Sequence, residues 1–204
     1  MSGYLYKSRM TLLLALVLIM AWSFIKPHDY LTWWMEALPV LIGLAILIPT
    51  YKKFPLTDLL YVLLFLHAIV LLVGAHYTYA RVPAFTLLQD EFGWSRNPYD
   101  KVGHFMQGFV PAMVARELLL RTSPLKSGKW MFTIIVMGCL GIAAIYEIIE
   151  WGAAMATGEA AEAFLGTQGD VWDSQKDMAW AGIGAIMALL MLGKKHDSML
   201  KKMK

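Results

Sequence analysis

The sequence predicts an all-α integral membrane protein, a bundle of six transmembrane helices in one domain (residues 1–204) with both termini cytoplasmic. The first observation is composition. Hydrophobic residues make up 58% of the chain and charged residues 16%, against about 45–50% and 25% in soluble proteins. The second is that six long segments of the chain contain no charged residue. The third is that loops rich in lysine and arginine alternate along the chain with loops that contain few of them. Together they exclude a disordered chain and a soluble domain.

The first three helices follow from uncharged segments in the N-terminal half. About 20 mostly apolar residues cross the hydrocarbon of a bilayer, and charged residues at the ends can reach the interface. The first helix also resembles a signal peptide, but Trp22 spoils the small-residue cleavage pattern, so we expect it to be retained. The predicted spans are 10–26, 31–50 and 57–78.

Three more uncharged segments predict the helices of the C-terminal half. In the last of them, Gly182 and Gly184 are typical of close helix packing. The long segment 79–98 contains several turn-forming residues and predicts a loop. His196, beyond the last helix, is interpreted as a loop residue without a functional signal. The predicted spans are 99–121, 129–153 and 174–193.

Orientation follows from the distribution of lysine and arginine. With a cytoplasmic N-terminus, 13 of the 18 basic residues lie on the cytoplasmic side, as the positive-inside rule requires. The net charge of +3 therefore reflects topology, and no nucleic-acid partner is expected. The basic residues left on the outer side are Lys26, Arg81, Arg96, Lys101 and Lys176.

Three polar motifs lie at the outer ends of the last three helices. Asp100 and His104 are four residues apart at the start of helix four, with Lys101 between them, and so share a helical face. Glu147 and Glu150 share a face near the end of helix five. An ionisable residue at the depth of Glu147 is costly, which indicates a function.

The third motif begins helix six with an acidic stripe. Asp170, Asp173 and Asp177 share one face, near Lys176, and their repulsion must be met by protons, a lysine or a cation. Across the three motifs, six carboxylates stand against two lysines. The set predicts a site for a divalent metal ion, although its spacing matches no zinc signature. The predicted ligands are Asp100, His104, Glu147, Glu150, Asp170, Asp173 and Asp177, and the predicted catalytic groups are Lys101, His104, Glu147 and Asp177.

Structural roles are the alternative for the same residues. Asp100 and Asp173 fit interfacial helix caps, and Glu150 fits a solvated helix end. His104 and Glu147 fit a buried hydrogen-bonded pair that fixes helix packing.

These motifs resemble a known family. The runs Asn97–Phe105, Tyr146–Trp151 and Gly166–Met178 are similar to those of the YjdF-type bacterial inner-membrane proteins, a family of unknown activity. The resemblance implies a multi-pass protein of the bacterial inner membrane.

A more distant resemblance is to VanZ-like membrane proteins, which are associated with the cell envelope. Glu150 stands where that group usually has Gln, and Ala181 stands where it usually has Asn, so the association transfers weakly. The matching positions are Asp100, Lys101, His104, Glu147, Asp177, Gly182 and Gly184.

Three functions remain open from the sequence. The first is a membrane-embedded enzyme or lipid handler, in which the carboxylate–histidine cluster binds a divalent metal or acts on a lipid or envelope head group. The second is a non-catalytic envelope protein whose cluster fixes helix packing. The third is a small proton-coupled transporter using Glu147, His67 and His104. The expected partners are the lipid bilayer and a lipid or lipid-linked ligand, and a homo-oligomer is left open.

Overall fold

A computed structural model of the chain describes residues 3–157 and 170–203, and within them every regular element is an α-helix. Four of the six predicted spans differ from the observed helices by at most four residues at each end. The helices are α1 (Gly3–Phe24), α2 (Tyr30–Thr50), α3 (Asp58–Tyr77), α4 (Pro83–Phe92), α5 (Tyr99–Thr122), α6 (Lys129–Thr157) and α7 (Asp173–Lys201).

Two ends lie well outside the predicted bounds. Helix α1 begins at Gly3, seven residues early, and α7 continues to Lys201, eight residues past the predicted end at 193. The basic residues that ended the predicted span of α7 are good helix formers, so the helix extends beyond its apolar part.

The prediction of a loop over 79–98 is wrong in its centre, where α4 lies. Pro83 occupies the first turn, and Gly93 closes the helix in the left-handed conformation (φ +62°). Proline at the start and glycine just past the end is the pattern that marks a helix. None of the residues of α4 is buried, and Leu87 and Phe92 are among the exposed apolar ones.

Four helices are long and apolar enough to cross a membrane, namely Tyr30–Thr50, Asp58–Tyr77, Lys129–Ala156 and Asp173–Lys201. Helix α1 has a shorter apolar part, Ser8–Phe24. Helix α5 is long, but Asp100, Lys101, Arg116, Glu117 and Arg121 make it polar at both ends.

Large apolar side chains cover the outside of the helices. Leu14, Ile48, Ile148 and Leu190 are each at least 60% exposed. A soluble protein rarely exposes so much apolar surface, whereas lipid tails cover such a surface without cost.

The helices pack as two groups of three. Helices α1 and α2 pack against α3, and α5, α6 and α7 pack against one another, with α3 and α5 joining the groups. Among the described elements, α5 packs against α3, α6 and α7, which places its polar side chains against protein.

The contact between α5 and α7 is a close approach of backbones. A Cβ atom added at Gly108 would overlap the carbonyl oxygen of Ala181, and one added at Gly184 would overlap that of Phe105. The prediction that Gly184 is a close-packing position is confirmed. Gly182 instead faces the side chain of Leu140 on α6, which an added Cβ would approach to 3.0 Å.

We expect Gly108→Ala and Gly184→Ala each to lower the free energy of unfolding by about 1–3 kcal/mol or more, because the added methyl group overpacks a backbone contact. Thermal unfolding of the purified protein in detergent measures the effect. Gly138→Ala on α6 is the matched control, since nothing lies within 4 Å of its added Cβ. Equal melting temperatures for all three variants would contradict the close approach.

Candidate functional site

The three polar motifs lie at one end of the bundle, where α5 and α7 begin and α6 approaches its end. Asp100, Lys101 and His104 project from α5 toward Asp173 and Asp177 on α7. Each of these side chains is at most 16% exposed. We call this group the acidic cluster, together with Glu147 and Glu150 of α6 and Glu36 of α2.

Lys101 is the central cation of the acidic cluster. Its Nζ atom donates to Asp173 Oδ1 and Asp177 Oδ1, both at 2.6 Å, and to Asp100 Oδ2 at 3.2 Å. One ammonium group thus joins the starts of α5 and α7 through three carboxylates. The positive charge of Lys101 therefore offsets part of the repulsion among the carboxylates at the start of α7.

Arg96, just before α5, is a second cation that the sequence analysis did not assign to the site. Its guanidinium donates to Asp173 and, at 3.3 Å, to Asp100, and it lies 3.5 Å from Asp170. Burial alone would lower the pKa of Arg96, but the hydrogen bond and the charge of Asp173 raise it above its ordinary value. Arg96 therefore stays positive and holds the loop against the start of α7.

His104 lies between two carboxylates. Its Nε2 atom is 3.2 Å from Asp100 Oδ1 and 3.7 Å from Asp177 Oδ2. Its other ring nitrogen, Nδ1, is 2.9 Å from Gln107 Oε1. In the neutral ring, Nδ1–H donates to Gln107 and leaves the lone pair on Nε2, the nitrogen that faces the carboxylates.

Asp100, His104 and Asp177 form a group whose ligand atoms all lie within 4.8 Å of one another. These are three of the seven predicted metal ligands. Asp173 instead contacts Lys101 and Arg96. Asp170 accepts from Lys176 Nζ at 2.6 Å and from the Trp172 N–H, and these bonds hold its pKa below the ordinary value.

Glu147 points into the acidic cluster with an unsatisfied oxygen. Its Oε1 atom is buried, has no hydrogen-bond partner among the described residues, and lies 4.0 Å from His104 Nδ1. Buried carboxylate oxygens are normally hydrogen-bonded, so this one needs an explanation such as an ion, a water molecule or a proton. Glu150, one turn further on, interacts electrostatically with Glu147 and Glu36.

Glu36 on α2 is a member of the acidic cluster that sequence reasoning missed. It is 8% exposed, and Tyr146 of α6 donates to its Oε2 at 3.3 Å. It also interacts electrostatically with Asp100 and His104. Glu36 stands next to a long apolar segment, and an acidic residue there seldom faces lipid. This position was the available signal that Glu36 faces other polar groups inside the bundle.

The charges of the acidic cluster do not balance. Six carboxylates face the two fixed cations Lys101 and Arg96, so even a protonated His104 leaves an excess of negative charge. A buried excess of this kind is reduced by protonation or by a bound cation. The six carboxylates are Glu36, Asp100, Glu147, Glu150, Asp173 and Asp177.

A second polar network lies at the opposite end of α5. Glu117 and His196 are completely buried, with Glu117 Oε2 and His196 Nε2 2.8 Å apart. The interpretation of His196 as a loop residue is wrong, because α7 extends past it. Glu117 also accepts from the Thr57 N–H at 3.1 Å and from Arg121 at 2.7 Å, and Arg116 donates to His196 Nδ1 at 2.7 Å. The network joins the start of α3 to α5 and α7.

Comparison with known proteins gives two matches. The family described as "Predicted membrane protein (DUF2238)" matches residues 8–198. The inner membrane protein YjdF of Escherichia coli (strain K12) is 49% identical over 189 residues, which cover 93% of this chain and 90% of that protein. No solved structure matches. The resemblance to VanZ-like proteins stays a prediction.

We expect Lys101→Met to lower the free energy of unfolding by about 3–5 kcal/mol, because it leaves three carboxylates facing one another in a buried place. Lys176→Met is the matched control. Its ammonium pairs with Asp170 at the surface and is 53% exposed, so the expected loss is about 0–1 kcal/mol. Thermal unfolding in detergent compares the two. Similar small losses for both variants would show that Lys101 does not hold the helix starts together.

Proposed function

The chain belongs to the family described as "Predicted membrane protein (DUF2238)", and we propose that its acidic cluster binds a divalent metal ion and acts on the head group of a lipid or lipid-linked molecule. The protein lies in the bacterial inner membrane, as its Escherichia coli relative does. The observation that carries the proposal is the arrangement of Asp100, His104 and Asp177 around one point, beside the unsatisfied oxygen of Glu147.

Distances within the group fit a metal centre. Neighbouring ligand atoms of a tetrahedral site with bonds of about 2.0–2.1 Å lie about 3.3 Å apart. His104 Nε2 is 3.2 Å from Asp100 Oδ1 and 3.7 Å from Asp177 Oδ2. Small rotations of the Asp177 side chain would therefore bring all three atoms to one ion.

The surroundings also suit a bound ion. Gln107 accepts the hydrogen bond from His104 Nδ1 that commonly orients a ligating histidine. Lys101 contacts the opposite oxygens of Asp100 and Asp177, which fixes the direction of both carboxylates. Two carboxylates and one imidazole suit Zn²⁺ or Mn²⁺.

Three protein ligands leave a position for a substrate or a water molecule, as in catalytic zinc sites. A metal ion there would polarise a head-group oxygen or activate water. Glu147 is suited to accept a proton, because its free oxygen lies beside His104. Lys101 is suited to stabilise developing negative charge.

A lipid substrate is supported by the surface around the acidic cluster. Ile148, Trp151, Val171 and Trp172 are all more than 60% exposed and lie on the segments that carry the cluster. Acyl chains can cover such a surface while the head group reaches the polar residues.

A proton path is the second candidate, favoured by the electrostatic interaction of Glu150 with Glu36 and Glu147. None of these three carboxylates forms an ion pair with lysine or arginine among the described residues, so they are suited to carry protons. His67 does not extend the path. Its Nε2 atom is buried and has no hydrogen-bond partner in the described part of the chain.

The topology that we propose has six crossings with both termini in the cytoplasm. It adds α1 and α5 to the four helices that qualify by length and composition. The charged ends of α5 face other helices, since Arg116 and Glu117 are buried. Helix α4 has no buried residue and an apolar side, which suits a position along the outer interface.

We expect the purified wild-type protein to bind close to one Zn²⁺ or Mn²⁺ ion and the variants His104→Ala and Asp177→Asn to bind at least about tenfold more weakly, since each loses one of three ligands. Metal content after dialysis and titration of each ion by calorimetry measure this. Asp170→Asn is the control, because Asp170 pairs with Lys176 outside the three-residue group.

Equal, negligible metal in wild type and variants would contradict the metal proposal. Proton flux in liposomes that depends on Glu36 and Glu147, without metal, would favour the second candidate instead.

We expect alkaline phosphatase fused after residue 94 to be active and the same enzyme fused after residue 204 to be inactive, because the enzyme folds only outside the cytoplasm. The C-terminal fusion to a cytoplasmic fluorescent reporter should give the opposite result. An active phosphatase at the C-terminus would contradict six crossings with cytoplasmic termini.

A further inference from the structure

A cavity of about 580 Å³ lies at the end of the bundle opposite the acidic cluster. It is formed between the start of α6 and the last third of α7, with Arg116 of α5 reaching into its wall. Its volume lies in the range of cavities that bind small molecules. The proposed metal centre does not use it.

Positive charge dominates the polar wall of the cavity. Arg116, Lys129 and Lys194 line it, against a single carboxylate, that of Asp197. Asp197 is already paired with Arg116 at 2.6 Å. No carboxylate of residues 3–157 or 170–203 lies within ion-pair distance of Lys129 or Lys194, so both ammonium groups are available to an anion.

Apart from two hydroxyl groups, the rest of the cavity wall is apolar, and it opens toward the lipid-facing surface. Met131 and Ile135 are buried at its inner side, and Leu190 is 70% exposed at its outer side. The exposed Met137 on α6 and Met187 on α7 lie beyond the cavity, toward the middle of the membrane. A free inorganic anion would leave this apolar wall uncovered, whereas an acyl chain would cover it.

We infer that this cavity binds the head group of an anionic phospholipid, with Lys129 and Lys194 contacting the phosphate and an acyl chain lying between α6 and α7. Basic cavities between helices at the cytoplasmic side of a membrane are suited to such head groups. The hydroxyl groups of Ser127 and Thr133 and the first turn of α6, which also line the cavity, supply hydrogen-bond donors and the positive end of a helix dipole. The cavity then anchors the inner ends of α6 and α7 to the lipid.

Native mass spectrometry of the full chain in detergent tests the inference, with dioleoyl-phosphatidylglycerol, dioleoyl-phosphatidylcholine or inorganic phosphate added. We expect one phosphatidylglycerol to bind the wild type in preference to phosphatidylcholine. The double variant Lys129→Gln/Lys194→Gln should bind phosphatidylglycerol about 20- to 30-fold more weakly, the loss expected for two cations at a membrane surface, with unchanged binding of phosphatidylcholine.

The matched control is Lys52→Gln/Lys53→Gln. These two lysines are exposed at the same end of the bundle and lie outside the cavity, so phosphatidylglycerol binding should change by less than about twofold. Equal weakening in both double variants would overturn the inference in favour of general surface attraction. Displacement of phosphatidylglycerol from the wild type by millimolar inorganic phosphate would overturn the assignment to a lipid. All four substituted lysines are exposed, so their replacement leaves folding intact, which thermal unfolding verifies.

Discussion

The close contact between the backbones of α5 and α7 determines where the two buried polar networks at the ends of α5 lie. Gly108 and Gly184 bring the two helices together in the middle of their length. Because the helices meet there without intervening side chains, their longer polar residues meet above and below the contact. At one end Lys101 reaches Asp173 and Asp177, and at the other Glu117 reaches His196. In the six-crossing topology that we propose, α5 lies in hydrocarbon, where no water can replace these partners, so its polar side chains are tolerated only where its neighbours satisfy them.

The two ends of α5 satisfy this constraint differently. At the Glu117 end, the carboxylate has donors from Thr57, Arg121 and His196, so its bonding capacity is filled. At the Asp100 end, carboxylates outnumber cations, and Glu147 keeps a buried oxygen without a partner among the described residues. A filled network is what a purely structural role requires. An incomplete one is typical of a place that receives a ligand or exchanges protons.

Sequence reasoning predicted the long helices well because each is marked by an uncharged segment of sufficient length. It missed α4, whose signal is confined to Pro83 and Gly93, and it ended α7 at the first lysine pair although the helix continues. The motifs on α5, α6 and α7 were predicted to lie at one end because their helices alternate in direction. The contributions of Glu36 and Arg96 depend on which helix or loop packs against α5. Helix packing order has no local signature in one sequence, so neither residue was assigned.

The dependence of α5 on α7 has a consequence for the order of biosynthesis. Helix α5 leaves the ribosome well before α7, and during that interval Lys101 and Glu117 lack Asp173, Asp177 and His196. The N-terminal group α1–α3 can satisfy part of α5 in the meantime, since the N–H and the hydroxyl group of Thr57 both donate to Glu117. The polar groups of α5 therefore gain their full set of partners only after the C-terminal helix has been synthesised. A chain shortened before α7 would leave Lys101 and Glu117 without Asp173, Asp177 and His196.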